Sequence, residues 1–468
     1  MFVLRHRFQP TLLTLLLSAS LLLSGMPPKA VACPFCSAVS QTLRQEMAAM
    51  DAVVIAAATQ SDLTRNKDTG EVMMKVEKVL KGGDFVSAGQ EVRAIYYGDV
   101  SVGRRFMLSG VDPPQLQWSC LPVSERAESY VAKVTQVTDE PLERLRFYHN
   151  YLQDEESMLA RDAYDEFAIA PYSVVKKLAP EMNREQLIEW ISDPEMATDR
   201  KRLYLTMLGV CGDEKDLPFL EQMLRSTQKS TRGGLDALVA CYLTLAGEKG
   251  LPLVNELFLA NKQAPYADTY AAIMAVRFHG TEGDVVPRSA LVESLHHVLD
   301  RKDLADLVIP DLARWSDWSQ IDRLTELFIN ADADNNWVRV PVVNYLRACP
   351  LPAASEALEK LKEVDPESVR RANTFFSIPV PSRDTGSSDT SVRRASDHKF
   401  AFNSDLPPSP VKPGQPTADV SPLRMAAAVS VNQPMNPWRL AYVLGLALAT
   451  VMIAQFLLLT GGSQPTAQ

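Results

Sequence analysis

Two cysteines carry the most reactive spacing in this chain. In "KAVACPFCSAVSQTLRQEM", residues 29 to 47, Cys33 and Cys36 enclose Pro34-Phe35 just where an N-terminal leader ends. Four chemistries use such a pair. A thioredoxin-type redox centre needs a thiol acidified by a following helix, and a helical stretch does follow. Such centres, however, come after a buried strand in a βαβ unit, and only the leader precedes this one. A structural zinc site needs four ligands. The chain offers no second Cys-x-x-Cys, and His296 and His297 are adjacent, so on a helix they point about 100° apart. Lipidation at Cys33 would give an anchor, but Ala30-Val31-Ala32 lacks a leucine three residues ahead. The fourth chemistry is a staple from Cys33 or Cys36 to Cys120. Closing a loop of about 85 residues contributes roughly 3–5 kcal/mol in the chain-entropy model. The staple is the expected outcome, and it leaves one N-terminal cysteine over.

No other set of residues assembles a reaction. "NADADNNW", residues 330–337, begins like a calcium loop with Asn330, Asp332 and Asp334. Asn335 stands in the glycine slot and Pro341 at the twelfth position, where a bidentate Glu is required. Asp154-Glu155-Glu156 lies in "RFYHNYLQDEESMLARDAYDEF" and reads as a solvated helical face, and His149 nearby lacks a nucleophile. There is no phosphate-binding glycine loop, nucleophile elbow or His-Glu-x-x-His. Cys211 and Cys349, four repeats apart, are roughly 40 Å from each other and beyond disulfide reach, whereas Cys211 and Cys241 lie in adjacent repeats. The expectation is a non-catalytic protein with no metal and no cofactor.

The two ends say where these residues sit. Arg5 and Arg7, the apolar run Leu12 to Leu23, and Ala30-Val31-Ala32 form the three parts of a secretory signal over residues 1–32. Export would place all six cysteines in an oxidising compartment. Leu440 to Leu459 holds no charged residue. As a helix it is about 30 Å long, the thickness of a bilayer core, with Trp438 and Tyr442 as interfacial anchors. Arg424 and Arg439 on the exported side oppose the usual charge bias, and the signal decides the orientation. A net charge of −9 and a pI near 5.4 argue against a nucleic-acid partner.

Between the ends the composition changes twice. Residues 51–120 hold five β-rich runs: "DAVVIAAATQ", "EVMMKVEKVLKG", "EVRAIYYG", "RRFMLSG" and "LQWSCLPV". In the second, Val72, Met74 and Val76 alternate with Met73, Lys75 and Glu77, the pattern of a half-buried strand. "SAVSQTLRQEMAAM" before them and "SERAESYVAKV" after them read as helices. From residue 195, Leu217-Pro218, Leu251-Pro252 and Val286-Pro287 recur with a period near 34–35, each after an amphipathic stretch. This is the signature of an α-solenoid. Residues 376–437 carry ten of the 31 prolines. They read as a disordered tether whose span is on the order of 40 Å. The expected fold is a small OB-like β-barrel followed by an α-solenoid, with a C-terminal transmembrane helix. The segments are 1–32 signal, 33–140 barrel, 141–194 helical connector, 195–372 solenoid, 373–437 tether, 438–460 membrane helix and 461–468 tail.

The solenoid units resemble HEAT or armadillo-type repeats. Export signal, Cys-rich start, short helix, "DAVVIAAATQ", "VMMKVEKVLKGG", "GRRFMLSG" and a late Cys120 together resemble the netrin-like module of the tissue inhibitors of metalloproteinases. That resemblance implies that the amine and carbonyl of Cys33, as the mature N-terminus, chelate a protease's catalytic zinc. It also implies that the N-terminal cysteines are disulfide-bonded to the barrel. The family starts Cys-x-Cys where this chain has Cys-x-x-Cys, and its further cysteines are absent here. The functional expectation is a membrane-anchored, extracytoplasmic protein-binding or scaffold protein, periplasmic or extracellular. The solenoid would meet protein partners and the last helix the membrane. The alternatives are a metalloprotease inhibitor acting through Cys33 and a thiol-disulfide oxidoreductase using Cys33 and Cys36.

Overall fold

The computed structural model describes residues 35–36, 40–331 and 337–375. The expected signal and membrane helix lie outside them, as does the expected tether from residue 376 on; residues 373–375, expected to begin the tether, instead end the last described helix, Pro366–Phe375.

Five strands form one antiparallel sheet: β1 (Ala52–Ala58), β2 (Glu71–Lys81), β3 (Glu91–Ile95), β4 (Arg105–Val111) and β5 (Gln117–Pro122), in the order β3-β2-β1-β4-β5. The alternation expected of β2 is present: Val72, Met74 and Val76 are buried while Lys75 and Glu77 are exposed. These residues join Val54, Ala56, Val92, Ala94, Phe106 and Leu108 in a core on the concave side. The register shifts between Val53 and Val54, and again between Ile55 and Ala56. Such irregularities bend and twist a strand, and the edge strands β3 and β5 come close together. The sheet is a curled half-barrel. β1 is central, so its other face is buried too, and Val53, Ile55 and Met107 belong to the core shared with the helices.

Helix α1 (Leu43–Ala49) precedes β1, and α2 (Glu125–Val134) follows β5. The first is shorter than its sequence suggests, because Thr42 caps it in a reciprocal box with Gln45. Next come α3 (Pro141–His149), α4 (Ser157–Ala168), α5 (Tyr172–Lys177) and α6 (Arg184–Ser192). The single helical stretch expected around residues 146–167 is thus broken over 150–156. Asn150 ends α3, and its amide bonds back to the carbonyls of Arg146 and Phe147.

The remainder is helical pairs: α7 (Thr198–Cys211) with α8 (Leu217–Arg225), α9 (Leu235–Ala246) with α10 (Leu251–Val254, extended by a π turn to Leu259), α11 (Tyr266–Thr281) with α12 (Arg288–His296), α13 (Ala305–Arg314) with α14 (Ile321–Ile329), and α15 (Arg339–Ala348) with α16 (Pro352–Val364). Helix α17 (Pro366–Phe375) follows. First helices stack on first helices, α7 on α9 on α11 and α13 on α15, and second helices likewise, α10 on α12 and α14 on α16. The recurrent Leu-Pro places proline in the first turn of α8 and α10, where its missing N–H is harmless. Arg202 pairs with Asp236 at 2.8 Å and Arg277 with Asp311 at 2.6 Å, each 34 residues on and one layer further. Leu235–Leu259 is long and apolar enough to cross a membrane by composition, but it comprises α9 and α10, and α9 is core. The apolar run 440–459 lies outside the described residues.

Candidate functional site

Phe35 and Cys36 are buried, and both belong to the large helical core. The Phe35 ring meets the Phe278 ring of α11 edge-on at 5.1 Å, and Tyr172 of α5 meets Phe278 at the same distance. Phe35 and Cys36 are therefore seated in the core shared with the helices rather than in the concave core of the half-barrel.

The cysteines depart from expectation. Cys36 is disulfide-bonded, while Cys120, Cys211, Cys241 and Cys349 are free thiols. The expected staple to Cys120 is not made, and the fold explains why. Cys120 sits opposite Leu108 on β5 and packs on the concave core. Cys36 belongs to the other core, beyond the sheet. Cys33 lies outside the described residues. Burial pushes the thiols of Cys120 and Cys211 up to about 11, and Cys241 is raised well above the ordinary value for the same reason. Thiols in that state are poor nucleophiles at neutral pH.

Just after the Cys pair, a buried acid cluster takes hold of the chain. Asp162, Asp165 and Glu166 project from one face of α4, at i, i+3 and i+4. The Leu43 N–H donates to Asp162 Oδ1 at 2.6 Å and the Tyr130 hydroxyl to Oδ2 at 2.7 Å. The Thr42 hydroxyl donates to Glu166 Oε1 at 2.6 Å, joined by Arg44 Nε at 3.1 Å. Arg144 Nε lies 3.2 Å from the other Glu166 oxygen, at ion-pair distance without hydrogen-bond alignment. The Ser40 hydroxyl donates to Asp165 Oδ2 at 2.8 Å. Three carboxylates thus face the N-terminal end of α1, where exposed N–H groups favour negative charge. Burial raises the Asp162 carboxyl to about 6, against the pull of Tyr130 and the Leu43 N–H. Sequence reasoning missed this cluster. Its signal was present: Leu159, Asp162, Ala163, Glu166 and Phe167 follow i, i+3, i+4, i+7, i+8, the spacing of a buried face.

Beside the Phe35 seat, a cavity of about 250 Å³ lies between α5, α7, α9 and α11. Its walls include Tyr172, Lys176, Thr244, Phe278, His279 and Asp284. His279 is 2% exposed, and its Nε2 lies 3.0 Å from the Ala240 carbonyl oxygen. Burial pushes it down to about 4, so the ring is neutral at physiological pH. With Nε2–H donating, Nδ1 is an acceptor, and it has no partner in the protein.

The remaining sequence candidates are scattered. His296 Nε2 meets Asp317 at 2.7 Å, a half-buried pair joining two layers. His149 packs near Phe167, and burial lowers it. Asp154, expected on a solvated face, pairs with Arg126 through both oxygens and is held below the usual carboxylate range. Asp332 and Asp334 lie outside the described residues. Among the described residues no three His, Cys, Asp or Glu side chains are grouped to hold a metal. No protein-family model, curated protein or solved structure matches this chain.

Proposed function

We propose that this is a membrane-anchored, extracytoplasmic binding or scaffold protein that works without catalysis. The observation that carries the reading is the stacking of helix on helix through the pairs. Such an arrangement repeats one surface along an axis and suits it to an extended partner. HEAT-type repeats are the nearest description. The half-barrel supports an OB-type assignment, since β3 and β5 approach to give the cyclic order β1-β2-β3-β5-β4. The signal, tether and anchor read from the sequence support a position outside the cytosol. The raised free thiols support a role that does not use their sulfur as a nucleophile.

The inhibitor alternative, through the Cys33 amine, is weakened by the seating of Phe35 and Cys36 in the chain's own core. A protease cleft would have to extract them. The oxidoreductase alternative draws on one observation: four thiols are free and Cys36 is not.

Affinity capture with the full chain from detergent-solubilised membranes tests the main reading. A stoichiometric protein partner is expected, and none above background contradicts it. Turnover in a disulfide-reduction assay, abolished by Cys36→Ser, would replace the binding role with the redox one.

A further inference from the structure

The half-barrel ends in two loops that are tied to each other and yet hold apolar side chains out to solvent. Residues 59–70 link β1 to β2 and residues 96–104 link β3 to β4, at the end of the sheet where Ala57 faces Arg105 and Glu71 faces Ile95. Arg65, whose side chain is 3% exposed, donates to the carbonyl oxygens of Tyr96 at 2.6 Å and Gly98 at 2.8 Å. Its Nε donates to Asp62 at 2.8 Å, and the Asp62 N–H donates to the Val100 carbonyl at 3.0 Å. Gly70 lies against the Tyr97 ring, where a Cβ would stand 2.7 Å from the nearest ring carbon. On this braced frame Leu63 is 96% exposed, Tyr97 73% and Val102 69%. Ile95, at the end of the edge strand β3, is 57% exposed. A single exposed apolar residue needs no explanation, whereas four at one end of a sheet mark a contact surface.

Size, charge and reach say what covers it. Four side chains of this kind offer on the order of 400–500 Å², well short of the ~800 Å² that each partner gives to a stable protein interface. Loop 59–70 sets Asp62 and Asp68 against Arg65 and Lys67, and loop 96–104 sets Asp99 against Arg104, so both are neutral in a chain of net charge −9. A neutral surface with apolar tips enters the headgroup region without burying an unmatched charge, and tyrosine is enriched at that depth. Residues 376–437, between the described body and the apolar run Leu440–Leu459, can span at most roughly 200 Å, which leaves the loops free to reach the bilayer.

We propose that loops 59–70 and 96–104 dip into the lipid bilayer that holds the anchor, with Leu63, Tyr97 and Val102 as the inserted side chains. The anchor keeps the loops at high effective concentration beside the lipid, so a small apolar contact suffices. The proposal deepens the binding role argued above and rests on its membrane anchor.

The test uses the full chain in phosphatidylcholine vesicles. A fluorophore is placed on Asn66→Cys, exposed in the first loop, and as a control on Lys215→Cys, between α7 and α8, where the lysine side chain is 84% exposed. The unsubstituted chain, labelled in parallel, gives the background from the native thiols. Only chain that floats with the vesicles is read. Nitroxide groups near the top of the acyl chains should quench the loop label at least about twofold, since inserted apolar faces reach roughly 5–10 Å into the headgroup boundary. The control label should stay bright. Leu63→Ser, Tyr97→Ser and Val102→Ser together should abolish the quenching, and all three residues are exposed, so the variant should fold. Adding phosphatidylglycerol should change little, because the loops are neutral. Floating chain with an unquenched loop label, quenching that the triple variant keeps, or quenching seen only with the anionic lipid would each overturn the proposal. So would a dimer in solution that the triple variant dissociates, which would assign the loops to a second copy. Chain that fails to float contradicts the anchor itself, so the two failures are distinguishable.

Discussion

Asp162 does two jobs in one atom pair: Oδ1 accepts from the backbone of α1 and Oδ2 from Tyr130. Its carboxyl stands at about 6, above the ordinary 3.8, because it is buried. A raised carboxyl binds its proton more tightly in the folded chain than in the unfolded one. The stability gained from that proton is full below about pH 4 and is lost as pH rises through about 6. The size is on the order of 2–3 kcal/mol. Asp162→Asn should therefore flatten the fall in urea-denaturation free energy between pH 4 and 7, and a variant retaining the full slope would contradict the assignment. Glu166 behaves differently, since it holds the Thr42 hydroxyl and faces two guanidinium groups. Glu166→Gln leaves buried positive charge without its counter-charge and should cost about 3–5 kcal/mol, read as a lowered denaturation midpoint. These acids were hard to see in the sequence because carboxylates ordinarily mark the wet side of a helix. Only their phase with Leu159, Ala163 and Phe167 distinguishes them. Val72, Met74 and Val76 were easy, because nothing charged competes for the inner face of β2.

Elements were legible where one physical signal dominated. The five strands, the Leu-Pro starts of the second helices and the end of α7 at Cys211 stand where the patterns put them. The seating of residues 35–36 and 40–44 was not legible, since it depends on contacts made more than a hundred residues away. Residues 40–43 are held by the acids of α4, and Phe35 by the aromatic rings around Phe278. Thr42→Ala removes the cap of α1 and its bond to Glu166, and should cost about 1–2 kcal/mol. Phe35→Ala should cost about 3 kcal/mol and speed amide exchange in α11, with α15 unaffected. Exchange unchanged in α11 would mean that the seat carries no load. The stacking of layers is testable at Gly280 in α11, where a Cβ would come within 2.1 Å of the Trp315 ring. Gly280→Ala should destabilise by about 1–3 kcal/mol through overpacking, although alanine is the better helix former.

At the scale of the molecule, a half-barrel precedes a stack of helical pairs in one chain. The barrel-then-helices order was readable from the change of hydrophobic period, from two to near four. The pairing of the cysteines was not, because sequence gives the number of thiols and not which core each enters. The cavity beside Phe278 was equally hidden, for its lining comes from four helices and the loop after α11. The proposed role depends on whether this body lies outside the cytosol. Proteolysis of intact cells producing the chain, followed by N-terminal sequencing and mass mapping of the released piece, addresses that directly. The account predicts a soluble fragment that begins at Cys33 and contains the residues up to the tether, with Leu440–Leu459 left in the membrane. A protected chain that begins at Met1, with Cys36 reduced, would contradict it.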